Sequence, residues 1–329
     1  MGTGFALNGL GAPEGLHKNN LPLAIAAHQW RQWHQWARKY TADHQVPPSE
    51  LDWFLLAVTD VDRLTLRLGD GDRPIKSQFD LGELTRRWKQ RCGDRVPVQY
   101  LAGSTPWRTL NLQVTPAVLI PRPETELLVD LTYRQIQRHF PQPSITQPIR
   151  IADLGTGSGA IALGLAELLP EAEIYGVDCS EAAIAIAQKN GESLQSTVKF
   201  LCGLWFDPLD RVEKGATTWA AIISNPPYIP SETVRTLQPE VVNHEPHLAL
   251  DGGEDGLDPI RYLIERSPEY LCPGGIWGVE HMTGQGAEII ELLQENRNYG
   301  HIQGHCDLSG RDRFVTAVCD KNVPSTKLR

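Results

Sequence analysis

From residue 149 onward, short apolar runs alternate with helical stretches, and this rhythm constrains the fold more than any other feature of the chain. Candidate strands fall at 149–154, 173–178, 198–201, 220–224, 275–280, 301–306 and 314–319. Helical periodicity marks 161–169, 181–189, 260–270 and 286–295. Consecutive parallel strands need a long crossover, which a helix supplies, so the alternation predicts an α/β unit: a seven-stranded parallel sheet with helices on both faces.

Upstream the pattern changes. Residues 1–20 are rich in Gly and Asn without periodicity and predict a disordered lead-in. A helical pattern over 21–40 puts Trp30, Trp33 and Trp36 on adjacent turns of one side, where they are expected to form core. Ser49-Glu50-Leu51-Asp52 reads as a helix start, and 81–92 as an amphipathic helix, so 21–95 is expected to be a small helical domain. Pro97-Val98-Gln99-Tyr100-Leu101-Ala102-Gly103 and Leu110-Asn111-Leu112-Gln113-Val114 flank a polar segment, which predicts a β-hairpin connector over 96–120. The α/β domain then occupies 121–329. It opens on Ile120-Pro121-Arg122-Pro123-Glu124-Thr125-Glu126, a helix to about residue 139, and a loop at Pro141-Gln142-Pro143-Ser144.

Charge and cysteine usage narrow the function classes. With 31 Lys and Arg against 40 Asp and Glu, the formal charge is −9, which disfavours general attraction to nucleic acid phosphates. Arg86, Arg87, Lys89, Arg91 and Arg95 cluster, and are expected to form a solvated helix face. No run reaches the roughly 18 apolar residues of a membrane span, and the first residues lack a basic segment followed by an apolar one, so a cytoplasmic location is expected. Cys92, Cys179, Cys202, Cys272, Cys306 and Cys319 have no metal-ligand spacing and are expected to be buried thiols rather than disulfides. His244 and His247 lack accompanying ligands and are expected at the surface, leaving no metal site.

Two stretches carry chemistry. Asp153-Leu154-Gly155-Thr156-Gly157-Ser158-Gly159 follows the first strand of the α/β unit and opens its first helix, where glycines let a ligand approach the backbone. Asp178, ending the second strand, can accept from ribose hydroxyls. A nucleoside site is therefore expected. Gly155, Gly157 and Ala160 also fit a dinucleotide fingerprint, which keeps a nicotinamide enzyme open, although Asp153 suits a cationic sulfonium better than a pyrophosphate. The second stretch is Asn225-Pro226-Pro227-Tyr228, closing the apolar run that ends at Ser224. The Asn225 side-chain oxygen and the Pro226 carbonyl can face one NH2 group, with Tyr228 covering its planar carrier. The implied guest is a planar amide or amino group.

With both stretches in view, the chain resembles the HemK/PrmC family over roughly residues 97–318. Asn225-Pro226-Pro227-Tyr228 is similar to the family's substrate-gripping tetrapeptide, Gly155 to Gly159 to its methionine-end loop, Asp178 to its ribose-binding acid, and Trp205-Phe206 to the segment beside adenine. Glu245-Pro246, Gly252-Gly253-Glu254-Asp255-Gly256-Leu257 and Asp307-Leu308-Ser309-Gly310-Arg311-Asp312-Arg313 are family-like and carry no chemistry of their own. The departures are Gly203 and Leu204, where the family often has an acid.

The resemblance implies a Rossmann-like class I methyltransferase domain that converts S-adenosylmethionine to S-adenosylhomocysteine while methylating a glutamine amide nitrogen, that of the GGQ motif, in class-1 peptide chain release factors. It implies a helical N-terminal domain that contacts the release factor; the chain itself is expected to be a monomer. Asn225, Pro226 and Tyr228 would be catalytic; Asp153, Gly155, Thr156, Gly157, Ser158, Gly159, Asp178, Trp205 and Asn225 would hold the donor; Asn225, Pro226, Pro227 and Tyr228 would hold the substrate. A ribosomal-protein glutamine, a nucleic-acid adenine N6 and a non-enzymatic nucleoside-binding scaffold are the alternatives.

Overall fold

The structure is a computed structural model that describes residues 21–68, 73–141, 148–212 and 218–320. The anticipated lead-in and most of the loop after Pro141 lie outside the described residues. The chain divides into two compact units: residues up to Pro116 with Gln238–His244, and Ala117–Leu237 with the residues from Glu245 onward.

The first unit contains β1 (Leu23–Ile25), α1 (Ala27–Asp43), α2 (Pro48–Val58), α3 (Arg63–Leu68), β2 (Ile75–Ser77), α4 (Leu81–Asp94), α5 (Val98–Ala102), β3 (Ser104–Trp107) and β4 (Leu110–Gln113). Asp80 caps α4 by accepting from the Glu83 N–H at 2.7 Å. Indole N–H groups join α1 to α4: Trp33 donates to Thr85 Oγ1 at 2.9 Å, and Trp88 donates to Thr41 Oγ1 at 3.1 Å. Trp30 and Trp33 are buried, whereas Trp36 is half-buried and stacks on Tyr40.

Three expectations for this unit are corrected. The segment 98–102 is a helical turn rather than a strand, because Pro97 suits its start and Gly103, at φ +80°, ends it by donating to Gln99 O at 2.8 Å. The hairpin therefore pairs Ser104–Trp107 with Leu110–Gln113. A short strand, β1, also precedes the first helix. Arg91 is not solvated. It is 3% exposed and held by Glu50 of α2, with Nη2 also 3.1 Å from Glu240, while Arg95 meets Glu240 at 2.7 Å.

The second unit continues with α6 (Glu126–His139), β5 (Arg150–Leu154), α7 (Ala160–Leu168), β6 (Glu173–Asp178), α8 (Glu181–Ser193), β7 (Lys199–Cys202), α9 (Leu209–Val212), β8 (Trp219–Ser224) and α10 (Ser231–Val234). After α11 (Pro239–Val242), which belongs to the first unit, come α12 (Asp258–Arg266), β9 (Leu271–Glu280), α13 (Gly286–Asn296), β10 (Tyr299–Cys306) and β11 (Asp312–Cys319). The seven strands lie in the order β10-β11-β9-β8-β5-β6-β7.

The sheet is not wholly parallel, as the alternation predicted: β11 runs antiparallel to both β9 and β10. The cause is the short turn at residues 307–311, which can join only antiparallel neighbours. Central β8 is buried at every position, as a strand covered on both faces must be, and Trp219 meets Tyr175 of β6 edge-on at 5.2 Å. Strand order reverses between β5 and β8, and ligands of open α/β sheets bind in the crevice outside such strand ends.

Cysteines also differ from expectation. Cys92 and Cys319 are buried, but Cys179, Cys202 and Cys306 are exposed because they sit at the ends or the edge of the sheet; all six are free thiols. Among the described residues no acidic, His or Cys cluster could hold a metal, and no helix is long and apolar enough to cross a membrane.

Candidate active site

Two strand ends meet at the reversal point. Leu154 of β5 pairs with Ser224 of β8, and the Ser224 hydroxyl donates to Leu154 O at 2.6 Å, so the glycine loop and the Asn-Pro-Pro-Tyr turn leave the sheet side by side.

Gly155, Gly157 and Gly159 have φ of +75°, +54° and +85°, a region other residues enter only with strain. The loop is held from below. Gly155 and Thr156 donate their N–H groups to Val177 O at 2.8 and 2.9 Å. Asp153, 0% exposed, accepts on Oδ2 from the Thr156 hydroxyl at 2.5 Å and from Ala162 N–H at 3.1 Å, while Oδ1 has no partner. Burial pushes this carboxyl up to about 7, opposed by those two bonds.

The loop residues face different ways. A side-chain carbon at Gly157 would project into open space, and one at Gly155 would lie 3.8 Å from the Trp205 ring and 3.9 Å from Asn225 O. These two glycines therefore line the crevice. Gly159 instead faces inward, where an added carbon would come within 3.1 Å of the Phe200 ring, and Ser158 and Thr156 are buried, with Ser158 O accepting from Asn190 Nδ2 at 2.9 Å. Asp178 is half-exposed at the end of β6. Its oxygens accept from Gly157 N–H and Ser180 N–H, each at 2.9 Å, with lone pairs left for a ligand hydroxyl.

Trp205 holds φ +45°, and Phe206 is buried and stacks on Tyr270 at 4.6 Å. Gly203 packs on Pro208, whose Cγ would lie 2.5 Å from an added side-chain carbon. Leu204 is exposed.

The turn after β8 is anchored at both ends. Asn225 Nδ2 donates to Thr125 Oγ1 at 3.3 Å, and that hydroxyl donates to Glu280 Oε2 at 2.6 Å. The Tyr228 hydroxyl donates to the other Glu280 oxygen at 3.1 Å, and Gln285 Nε2 donates to Tyr228 O at 3.0 Å. From sequence, Tyr228 is expected both to cover the guest and to be catalytic; its hydroxyl is engaged with Glu280. Burial beside the Glu280 carboxylate holds its phenol well above its usual pKa, so it acts as a donor and not as a base. The glycine-rich stretch supports the same turn, since an added carbon at Gly256 would lie 2.3 Å from Tyr228 O. Arg122 and Glu245, from two of the other quoted motifs, pair at 2.7 Å.

The chain is 45% identical over 296 residues to the release factor glutamine methyltransferase of Synechocystis sp., covering 89% of this chain and 97% of the relative. It is 42% identical to that of Gloeobacter violaceus, covering 86% and 94%. The chain belongs to the release factor glutamine methyltransferases. Residues 129–254 also match the methyltransferase small domain family. A solved structure of the protein-(glutamine-N5) methyltransferase, release factor-specific, from Alicyclobacillus acidocaldarius is 30% identical, covering 64% of this chain and 99% of that one, with a TM-score of 0.39.

Sequence reasoning did not single out Thr125, Glu280 or Gln285 in this family member. A signal was present for Glu280, a carboxylate ending the apolar run Ile276-Trp277-Gly278-Val279.

Proposed function

We propose that this chain transfers a methyl group from S-adenosylmethionine to the side-chain amide nitrogen of the GGQ-motif glutamine in a class-1 peptide chain release factor. The observation that carries the reading is the meeting of the glycine loop and the Asn-Pro-Pro-Tyr turn at the reversal of strand order.

The crevice suits the donor: Gly157 leaves open space, Asp178 offers acceptors for ribose hydroxyls, and Trp205 offers an aromatic face for adenine. S-adenosylmethionine supplies a methyl group on a sulfonium. An amide nitrogen is a poor nucleophile because its lone pair is delocalised into the carbonyl. Asn225 Oδ1 and Pro226 O, accepting from the glutamine NH2, orient that lone pair and stabilise positive charge as the N–C bond forms and the S–C bond breaks. The nitrogen then sheds one proton, and S-adenosylhomocysteine remains. Pro227 keeps the turn rigid through its fixed φ.

In this reading the helical unit recognises the release factor, and the enzyme works as a cytoplasmic monomer. Transfer of labelled methyl into purified release factor, ribosomal protein and DNA, with peptide mapping, tests it. Label at one release factor glutamine is expected; label only in DNA adenine overturns it. Asn225→Ala should lower turnover on the order of a hundredfold while keeping donor affinity, and Asp178→Ala should weaken donor binding.

A further inference from the structure

The chain Asn225–Thr125–Glu280 has a fixed direction. A hydroxyl carries one proton, and an ionised carboxylate only accepts. Thr125 donates its proton to Glu280 at 2.6 Å, so the lone pair facing Asn225 can only accept. Asn225 must then present Nδ2 to it, at 3.3 Å, which turns Oδ1 the other way. Were the amide rotated, an NH2 group would face the incoming glutamine NH2, two donors with no acceptor between them.

We propose that Thr125 and Glu280 are positioning residues that fix the orientation of the Asn225 amide, so that its oxygen faces the substrate nitrogen. Glu280 does so from a site 1% exposed, and by accepting from Tyr228 at 3.1 Å it also pins the far end of the same turn. One carboxylate thus sets both the polarity and the shape of the substrate grip. The inference rests on the proposed glutamine transfer.

The relay reverses when Glu280 takes up a proton on Oε2, because the acid then donates to Thr125. The groups facing it are Thr125, Tyr228, Arg313 and Glu124. Burial raises the carboxyl above its usual value, with Arg313 and the two hydroxyls opposing, so the acid limb of turnover lies above the ordinary carboxylate range.

Thr125→Val keeps the shape and removes the hydroxyl; Thr125→Ser restores it. The expected result for Thr125→Val is a fall in kcat on the order of a hundredfold with KM for release factor and affinity for S-adenosylhomocysteine little changed, and recovery to within a few-fold in Thr125→Ser. Glu280→Gln should lose its acid limb. It carries the test if Thr125→Val does not fold. Wild-type kcat in Thr125→Val, or an acid limb retained in Glu280→Gln, overturns the inference.

A readout independent of substrate separates this inference from the proposed function. In 15N-labelled protein the Asn225 side-chain NH2 should show one proton protected from exchange, lost in Thr125→Val. If the wild type transfers no label to any glutamine, the proposed function fails while this protection still decides the orientation. Unprotected Asn225 protons in the wild type refute it.

Discussion

Replacing Asp153 by Asn should make the protein's stability less sensitive to pH. The Asp153 carboxyl is buried, and that burial pushes it up to about 7 from an ordinary 3.8. Between those values the folded chain holds a proton that the unfolded chain has released, so wild-type stability is lost as pH rises through this window. A separation of about three pH units, at about 1.4 kcal/mol each, is on the order of 4 kcal/mol in full. Asparagine keeps an oxygen for the Thr156 hydroxyl and Ala162 N–H, places its NH2 where Oδ1 has no partner, and carries no charge.

The assay is urea unfolding of both proteins from pH 5 to pH 8. The stability difference should shift in favour of Asp153→Asn by about 1.4 kcal/mol per pH unit through the window and level off above pH 7. The slope is the test, because a fixed cost of fitting the NH2 moves every point equally. Saturating S-adenosylmethionine, by bringing positive charge to the crevice, should flatten the wild-type slope. A difference that stays constant from pH 5 to 8 would refute the assignment of a protonated, buried Asp153.

Two glycines with the same φ of +81° separate backbone strain from crowding. Gly274→Ala, with nothing within 4 Å, should cost about 1 kcal/mol and leave turnover unchanged, whereas Gly256→Ala, which drives a carbon to 2.3 Å from Tyr228 O, should cost more and depress kcat; unfolding and initial rates decide it. Arg91→Met strands the Glu50 carboxylate inside the helical unit and should destabilise by about 3–5 kcal/mol in denaturant unfolding, with most of that recovered in the Arg91→Met, Glu50→Gln pair.

What could be read from sequence was whatever is encoded by neighbours along the chain. A strand, a glycine loop and a helix in succession locate the crevice proposed for the donor, and an apolar run stopped by Asn-Pro-Pro-Tyr locates the turn proposed for the substrate, because each is a local conformational statement. Even there the roles of individual residues depended on what lies across the fold: Gly159 reads like Gly157, yet one packs on Phe200 and the other faces open space.

The misread positions share a physical cause. Arg91 looks solvated on its own helix, since its second partner, Glu240, lies 149 residues away. Val98 to Ala102 looks like a strand by composition, and is helical because Pro97 and Gly103 suit the two ends of a single turn. The direction of the Asn225 amide is the extreme case: it is set by a hydroxyl 100 residues upstream and, through it, by a carboxylate 155 residues from that hydroxyl. The local motif supplies an amide able to offer either an oxygen or an NH2. Only the assembled sheet, by ending β9 in an acid that accepts from Thr125, decides that the NH2 turns to Thr125 and leaves the oxygen for the proposed substrate.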